Sequence, residues 1–492
     1  MAHLCTTVTA PTMAELRARR DAAAAASDLV ELRLDTVDQP DVAAALHGRR
    51  GPVIVTCRAR WEGGHFTGSE AERHRLLAEA WQAGAEYVDV EWAAWQDAPW
   101  TAATGGRRLI VSSHDFHGVP ADLRSMYGAM VGTGAQVVKI AITSRRLNDC
   151  AALLDLGPRP GRRDVLLAMG VPGFLTRALP DRFGSAWTYT GEGVAPGQVS
   201  SRRLRQEFRF GEVSPDAALY GLIANPVGHS ISPAMHNAAF RAAGLDAVYL
   251  PLQAADAEDV LAIAPRIGLQ GASVTVPFKV QFLPHTIPDP LAARVGAVNT
   301  LRWDADGLHG RNTDVEGLLG PLARLCHIRG LRVTILGAGG AARGAAIALI
   351  DAGAHVTICA RRAGPAAAVA RETGAQVSAM PPEPGSWDVL VNATPAGMYP
   401  AVDETPWAAG RFDGSLVYDL IYNPPETRLL REARAAGCPT LGGLEMLVAQ
   451  AEAQFQFWTG QVAPPGVMHR AAVERLAEFA SDDRSDSPVA TS

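Results

Sequence analysis

Eight short apolar, β-branched runs punctuate the first 190 residues: Leu4–Thr9, Leu29–Leu34, Val53–Cys57, Tyr87–Glu91, Leu109–Ser113, Val137–Ile142, Val165–Met169 and Ala186–Thr190. Helical Ala/Leu/Arg stretches separate many of them, such as Met13–Ala26 and Ala71–Ala83. Strands that alternate with helices form a parallel sheet, because each crossover brings the chain back to the same end. Eight such units predict a closed (β/α)8 TIM barrel, with an open doubly wound sheet as the competing α/β fold. Glu31, Arg33, Arg58, Glu91, His114 and Lys139 stand at or near the C-terminal ends of these runs. In a barrel they converge on one mouth, where barrel active sites lie.

Beyond the barrel region, Glu207–Asp216 mixes charge with Gly and Pro and reads as a linker. A second unit begins at Leu219–Ile223 and alternates strand and helix to about Leu318. The apolar run Leu331–Leu336 then leads into Gly337-Ala338-Gly339-Gly340-Ala341 and an Ala/Ile-rich helix. That is the strand–glycine turn–helix of a Rossmann dinucleotide fold. The last residues, Ser481–Ser492, are polar and read as a disordered tail. A chain of 492 residues has room for about three domains. No apolar run approaches the ~20 residues of a membrane span. The net charge of −6 argues against nucleic acid as the main partner. The six cysteines are dispersed with no CxxC spacing, which fits free thiols in a reducing, cytoplasmic setting and no metal site.

One compositional fact bears on chemistry. Of 45 basic residues only two are lysines, Lys139 and Lys279. Average usage would give roughly thirty. Where arginine has replaced lysine almost everywhere, two lysines either survive by chance or mark positions that need a primary amine. An ammonium can lose its proton and attack a carbonyl, whereas a guanidinium in a protein effectively cannot. Lys139 lies inside an apolar run, and burial favours the neutral amine that forms an imine. A buried lysine paired with a carboxylate is the alternative. His114, at the end of the preceding run, is suited to pass protons near neutral pH. Arg33, Arg58 and Arg177 are candidates to grip an anionic substrate, with Glu31 and Glu62 to orient or neutralise these groups.

Glu31-Leu32-Arg33-Leu34-Asp35, Thr56-Cys57-Arg58 with Glu62-Gly63-Gly64, Ser113-His114-Asp115-Phe116-His117, Lys139-Ile140-Ala141 and Ala195-Pro196-Gly197-Gln198 resemble the type I 3-dehydroquinate dehydratases. The resemblance implies that Lys139 forms an imine with the substrate ketone while His114 acts as general base and acid. It also implies that Glu31, Arg33, Arg58, Arg177 and Gln198 bind substrate, with Glu62 close by. Val194 departs from the family, which often has Ser just before Ala-Pro-Gly-Gln.

In the second half, Ala360-Arg361-Arg362 follows the strand Val356–Cys359. An NAD fold usually places an acid there for the ribose hydroxyl, so arginines favour the 2′-phosphate of NADP. Lys279, in Thr275-Val276-Pro277-Phe278-Lys279, and Asp314, in Asn312-Thr313-Asp314, can together move the proton of a hydroxyl as hydride is exchanged at its carbon. With Ser230-Ile231-Ser232-Pro233, Gly296-Ala297-Val298-Asn299-Thr300, Asn392-Ala393-Thr394-Pro395 and Gly443-Leu444-Glu445-Met446-Leu447-Val448-Ala449-Gln450, this half resembles shikimate dehydrogenase. The resemblance implies that Lys279 and Asp314 are catalytic. It assigns Ser230, Ser232, Thr275, Asn299, Tyr422 and Gln450 to shikimate, and Gly337, Ala338, Gly339, Gly340, Ala341, Arg361, Thr394 and Gly443 to NADP. Ser273 stands where the bacterial single-domain enzymes commonly have Asn.

The expected domains are thus a dehydratase barrel at 1–210, a shikimate-binding lobe at 217–318 completed by helices at 440–480, and a Rossmann NADP domain at 319–439. The expected activity is dehydration of 3-dehydroquinate to 3-dehydroshikimate, then NADPH-dependent reduction to shikimate, with small molecules as partners. The competing readings are an NAD-dependent quinate/shikimate dehydrogenase of a catabolic route, and a non-catalytic quinate sensor similar to fungal repressors.

Overall fold

The computed structural model of the chain describes residues 1–157, 161–191, 198–228, 230–407 and 411–485. By its contacts the chain divides into two units, Met1–Gly228 with Asp246–Leu269, and His229–Leu245 with Gln270–Ser492.

The first unit carries eight strands: β1 (His3–Val8), β2 (Leu29–Arg33), β3 (Val53–Thr56), β4 (Tyr87–Glu91), β5 (Leu109–His114), β6 (Val137–Thr143), β7 (Arg163–Met169) and β8 (Trp187–Thr190). Each of the eight apolar runs is a strand. Their order is β7-β6-β5-β4-β3-β2-β1-β8, and the ladders are parallel. A consecutive order in which the last strand lies beside the first is a barrel, not a doubly wound sheet. The β7–β8 seam is drawn together by Ala186 N donating to Asp164 O (2.8 Å) and by Ser185 Oγ, which accepts from Leu166 N (2.8 Å) and donates to Leu166 O (3.1 Å).

Strand alternation decides which side chains enter the barrel. Cys5, Ile54, Tyr87, Ile110, Val137, Ala141, Val165 and Trp187 pack in one buried cluster. Asp89 and Glu91 follow Tyr87 at intervals of two, and Lys139 sits between Val137 and Ala141, so all three share that face. The helix Glu70–Gln82 begins with a capping box of Ser69 and Glu72.

Residues 207–216 are not a loose linker. Phe208, Phe210 and Val213 are buried, and Phe208 meets the Phe174 ring edge-on at 4.8 Å. The parallel pair β9 (Ala218–Ala224) and β10 (Ala247–Gln253), with the helix Ala257–Ile267, belongs to the barrel's unit. Asp259 on that helix is buried and accepts from Leu147 N (3.0 Å) and Asn148 N (2.8 Å) of the barrel.

In the second unit, β11 (Leu269–Val274) pairs antiparallel with β13 (Thr300–Asp304), which pairs antiparallel with β14 (Gly307–Arg311). The short β12 (Ile287–Pro288) lies beside β14. The helix Gly443–Thr459 returns to this sheet, where Trp458 Nε1 donates to Leu301 O (2.9 Å) and Gln454 Nε2 to Asn299 O (3.4 Å). A parallel sheet follows: β15 (Arg332–Leu336), β16 (His355–Cys359), β17 (Gln376–Ser378), β18 (Val389–Asn392), β19 (Leu416–Asp419) and β20 (Thr440–Leu441). Its order, β17-β16-β15-β18-β19-β20, is the Rossmann order, which opens a ligand crevice between β15 and β18.

The final helix, Val467–Ser485, extends past residue 481, where the tail was expected to start. The remainder of that expected tail lies outside the described residues, as do Val194, Ala195, Pro196 and Gly197.

Candidate active sites

At the C-terminal ends of β2 to β6 the barrel mouth concentrates buried charge. Lys139 Nζ lies 3.3 Å from Glu31 Oε1, 3.2 Å from Asp89 Oδ2 and 4.3 Å from the centre of the Tyr189 ring. Arg58 donates to Asp89 (2.9 Å) and Ser112 (2.8 Å), and pairs with Glu91 (3.2 Å) and Glu62 (3.7 Å). Burial disfavours the Asp89 carboxylate, yet the charges of Arg58 and Lys139 hold it well below the usual carboxylate range.

His114 Nδ1 is 2.7 Å from Glu62 Oε1, which also accepts the His114 backbone N–H (3.0 Å). Burial, reinforced by Arg58 and Lys139, holds His114 well below its ordinary value, so the ring is a neutral base at pH 7. Burial pushes Glu62 up to about 7 against the pull of Arg58, with Glu91 and Asp89 adding to the rise.

Arg177, Gln198 and Phe116 line the same cavity as Lys139 and His114. Arg177 is 2% exposed; among the described residues its Nη1 reaches Tyr189 O at 3.4 Å and its Nε is buried with no hydrogen-bond partner. Burial alone pushes this guanidinium down to about 10. A buried cation without an anion is costly, so this geometry is built to receive one. Arg33 donates from Nε and Nη2 to Asp35 (2.8 and 2.7 Å). It lines the cavity and a neighbouring cleft of about 880 Å³.

In the second unit, Lys279 Nζ is 2.5 Å from Asp314 Oδ2, and Asp314 Oδ1 accepts from Asn299 Nδ2 (2.8 Å). Asn299 Nδ2 also lies 3.5 Å from Gln450 Oε1. The Lys279 and Asp314 side chains are about a third exposed (32% and 31%), which leaves the pair open to a substrate. Ser230 Oγ accepts from Ser232 N (3.2 Å). No hydrogen bond joins Ser230, Thr275 or Tyr422 to the Lys279–Asp314 cluster among the described residues. Ser273 Oγ is buried and donates to Gln454 Oε1 (2.7 Å), so Ser273 serves the helix Gly443–Thr459.

The glycine turn suits a dinucleotide. Gly337 has φ +114°, and a Cβ there would lie 3.1 Å from Ala393 O and Thr394 Cγ2. Cβ atoms at Gly339 and Gly340 would meet nothing, and the helix Gly340–Asp351 starts with no side-chain cap and no acid in its first turn. Uncapped N–H groups facing open space are a phosphate site. Arg361 and Arg362 are exposed and have no ion pair among the described residues. Gly443 has a packing reason as well: a Cβ there would fall 2.3 Å from Leu420 O.

Sequence reasoning missed Asp89, Ser112, Tyr189 and Gln454 as parts of these sites. Asp89 was visible as an acid at an alternating position of an apolar strand. Gln454 was visible one helical turn beyond Gln450.

A (β/α)8 barrel with an amine at its mouth, joined to a Rossmann fold beside a Lys–Asp pair, defines a two-centred enzyme: a lyase barrel linked to a dinucleotide-dependent oxidoreductase. Known proteins agree. Residues 4–214 match the family of type I 3-dehydroquinase, 222–301 the shikimate dehydrogenase substrate binding domain, and 443–473 the shikimate 5′-dehydrogenase C-terminal domain. The chloroplastic bifunctional 3-dehydroquinate dehydratase/shikimate dehydrogenase of Arabidopsis thaliana is 34% identical over 477 residues, covering 89% of this chain and 78% of the relative. A shikimate dehydrogenase (NADP(+)) of Natronomonas pharaonis is 43% identical over 260 residues, covering 51% of this chain and 97% of its own. A crystal structure of shikimate dehydrogenase in complex with NADP+ aligns with a TM-score of 0.51 at 34% identity, covering 54% of this chain and 97% of that one. The chain belongs to the family of bifunctional 3-dehydroquinate dehydratase/shikimate dehydrogenases.

Proposed function

We propose a division of labour among the residues at each site. The chain is a bifunctional shikimate-pathway enzyme that dehydrates 3-dehydroquinate to 3-dehydroshikimate and reduces that product to shikimate with NADPH. In the barrel, Glu31 takes a proton from Lys139, whose free amine adds to the substrate ketone. Water leaves, and a cationic imine forms. His114 removes a proton from the adjacent carbon, and the electron pair passes into the imine. His114 then returns the proton to the departing hydroxide, and water hydrolyses the imine to regenerate Lys139. Arg177 binds the substrate carboxylate, supported by Gln198, and Arg58 keeps Asp89 ionised. The observation that carries this reading is the buried amine held between two carboxylates beside a neutral histidine.

In the second half, bound NADPH supplies hydride to the ketone carbon. Lys279, poised on Asp314, gives a proton to the carbonyl oxygen, and Asn299 and Gln450 fix the substrate hydroxyls. Gly337–Ala341 and the helix that follows hold the pyrophosphate, while Arg361 holds the 2′-phosphate. The absence of an acid after β16 disfavours an NAD-dependent quinate enzyme, and the intact Lys139, His114, Lys279 and Asp314 disfavour a sensor. No helix among the described residues is long and apolar enough to cross a membrane. The free cysteines support a cytoplasmic location.

Purified protein given 3-dehydroquinate and NADPH is expected to make shikimate unaided. Lys139→Ala blocks NADPH consumption from 3-dehydroquinate but not from 3-dehydroshikimate. Lys279→Ala lets 3-dehydroshikimate accumulate. Borohydride reduction in the presence of substrate is expected to tag the Lys139 peptide, and a tag that persists in Lys139→Ala would refute the imine assignment.

A further inference from the structure

Asp419, the last residue of β19, is fully buried and has no ion pair among the described residues. Its carboxylate is surrounded by donors instead. Oδ1 accepts from Asn392 Nδ2 (2.9 Å) and Ile421 N (3.1 Å), and Oδ2 accepts from Thr427 Oγ1 (2.6 Å). Each partner holds a different segment. Asn392 ends β18, and its Oδ1 accepts from Thr394 N (2.9 Å) and Thr394 Oγ1 (2.7 Å). Ile421 precedes Tyr422, and its carbonyl accepts from Gly443 N (3.2 Å), where the long C-terminal helix begins. Thr427 caps the helix Arg428–Ala435 by accepting from Leu430 N (3.3 Å).

One carboxylate therefore ties the loop that carries Thr394 to the loop that carries Tyr422. A buried anion without a cation is an expensive way to stabilise a sheet, as its rise to about 6 reflects. An amide of the same shape would keep one acceptor for Asn392 and Ile421 and turn a donor on Thr427, whose hydroxyl would have to reverse its bond while it caps Leu430 N. What only the carboxylate supplies is acceptance from three directions at once.

We propose that Asp419 is a positioning residue for the reduction, setting the cofactor-side loop at Thr394 against the substrate-side loop at Tyr422. The proposal rests on the assignment of Thr394 to NADPH and Tyr422 to substrate. A misplacement of ~1 Å between reacting partners can cost ~10²-fold in rate.

The test uses full-length Asp419→Asn and Thr427→Val, with kcat and KM for 3-dehydroshikimate and NADPH, direct NADPH binding, thermal melts, and dehydratase turnover as an internal control. The expected result is a reductase kcat lowered at least ~10-fold, NADPH affinity changed less than ~3-fold, and dehydratase rate unchanged. A kcat equal to wild type in both variants would overturn the proposal. So would a loss confined to melting temperature and NADPH affinity. If Asp419→Asn does not fold, Thr427→Val decides alone; it also removes the helix cap on Leu430 N, a loss that shows in the melting temperature and is separated from kcat. Thr394→Ala and Tyr422→Phe test the underlying assignment separately. If neither changes NADPH affinity or the KM for 3-dehydroshikimate, that assignment fails, whatever Asp419→Asn does.

Discussion

At the scale of single residues, the barrel mouth is governed by how buried charges are compensated. Glu62 and His114 share a 2.7 Å hydrogen bond, and burial pushes Glu62 up to about 7. Ionised Glu62 accepts the Nδ1 proton and leaves Nε2 as the free base; protonated Glu62 cannot. Dehydratase kcat/KM is therefore expected to rise with pH through about 7. Glu62→Gln should flatten that limb and lower the plateau by ~10–100-fold, measured as a pH–rate profile. Arg177 is the complementary case, a buried cation with an unpartnered Nε. Arg177→Met should weaken 3-dehydroquinate binding by ~2–3 kcal/mol, the value of a charge-assisted hydrogen-bond pair. The same change should raise the melting temperature, because it removes an uncompensated buried charge. An unchanged affinity for 3-dehydroquinate would contradict the reading of Arg177 as an anion receptor. Neither residue's state was legible in the sequence, where Arg33, Arg58 and Arg177 looked alike. Asp35 occupies Arg33, three acids surround Arg58, and Arg177 is left for a ligand.

At the scale of elements, local patterns were easier to read. The eight apolar runs became strands because β-branched residues of period two fit a pleated, buried sheet. The same period put Asp89 and Glu91 on the inner face, a consequence the residue pattern contained. The turn after β15 was legible because glycine spacing reports backbone geometry directly. Gly337 sits at φ +114°, which L-residues rarely adopt, and its missing Cβ admits Ala393 O. Gly337→Ala should lower NADPH affinity at least ~10-fold, about 1.4 kcal/mol, while dehydratase turnover stays at the wild-type rate. The segment 207–216 was misread because charge, Gly and Pro suggest exposure, whereas Phe208, Phe210 and Val213 find buried sites. Local composition does not reveal a surface waiting to receive an aromatic ring.

At the scale of the whole molecule, the two activities are written in consecutive stretches of sequence, and the contacts of Met1–Gly228 extend to Asp246–Leu269. Asp259 accepts from Leu147 N and Asn148 N, and Arg182 reaches Ile267 O at 2.5 Å, so 246–269 completes the unit that holds the barrel. A fragment ending at residue 214 is expected to melt below the barrel transition of the full chain, and Asp259→Ala in the full chain should cost ~2 kcal/mol, both measured by calorimetry. By itself the sequence determined the fold classes, since periodicity and glycine turns are local signals. It also singled out two amines, since Lys139 and Lys279 are the only lysines among 45 basic residues. Only the tertiary structure decided which groups those amines meet. Lys139 finds Asp89 and Glu31 across 50 and 108 residues of chain, and Asp419 joins two loops through a carboxylate that no local pattern singled out. The reason is that a charge is compensated by whatever strand order and packing bring within about 3 Å, and that distance is not encoded in any short stretch of sequence.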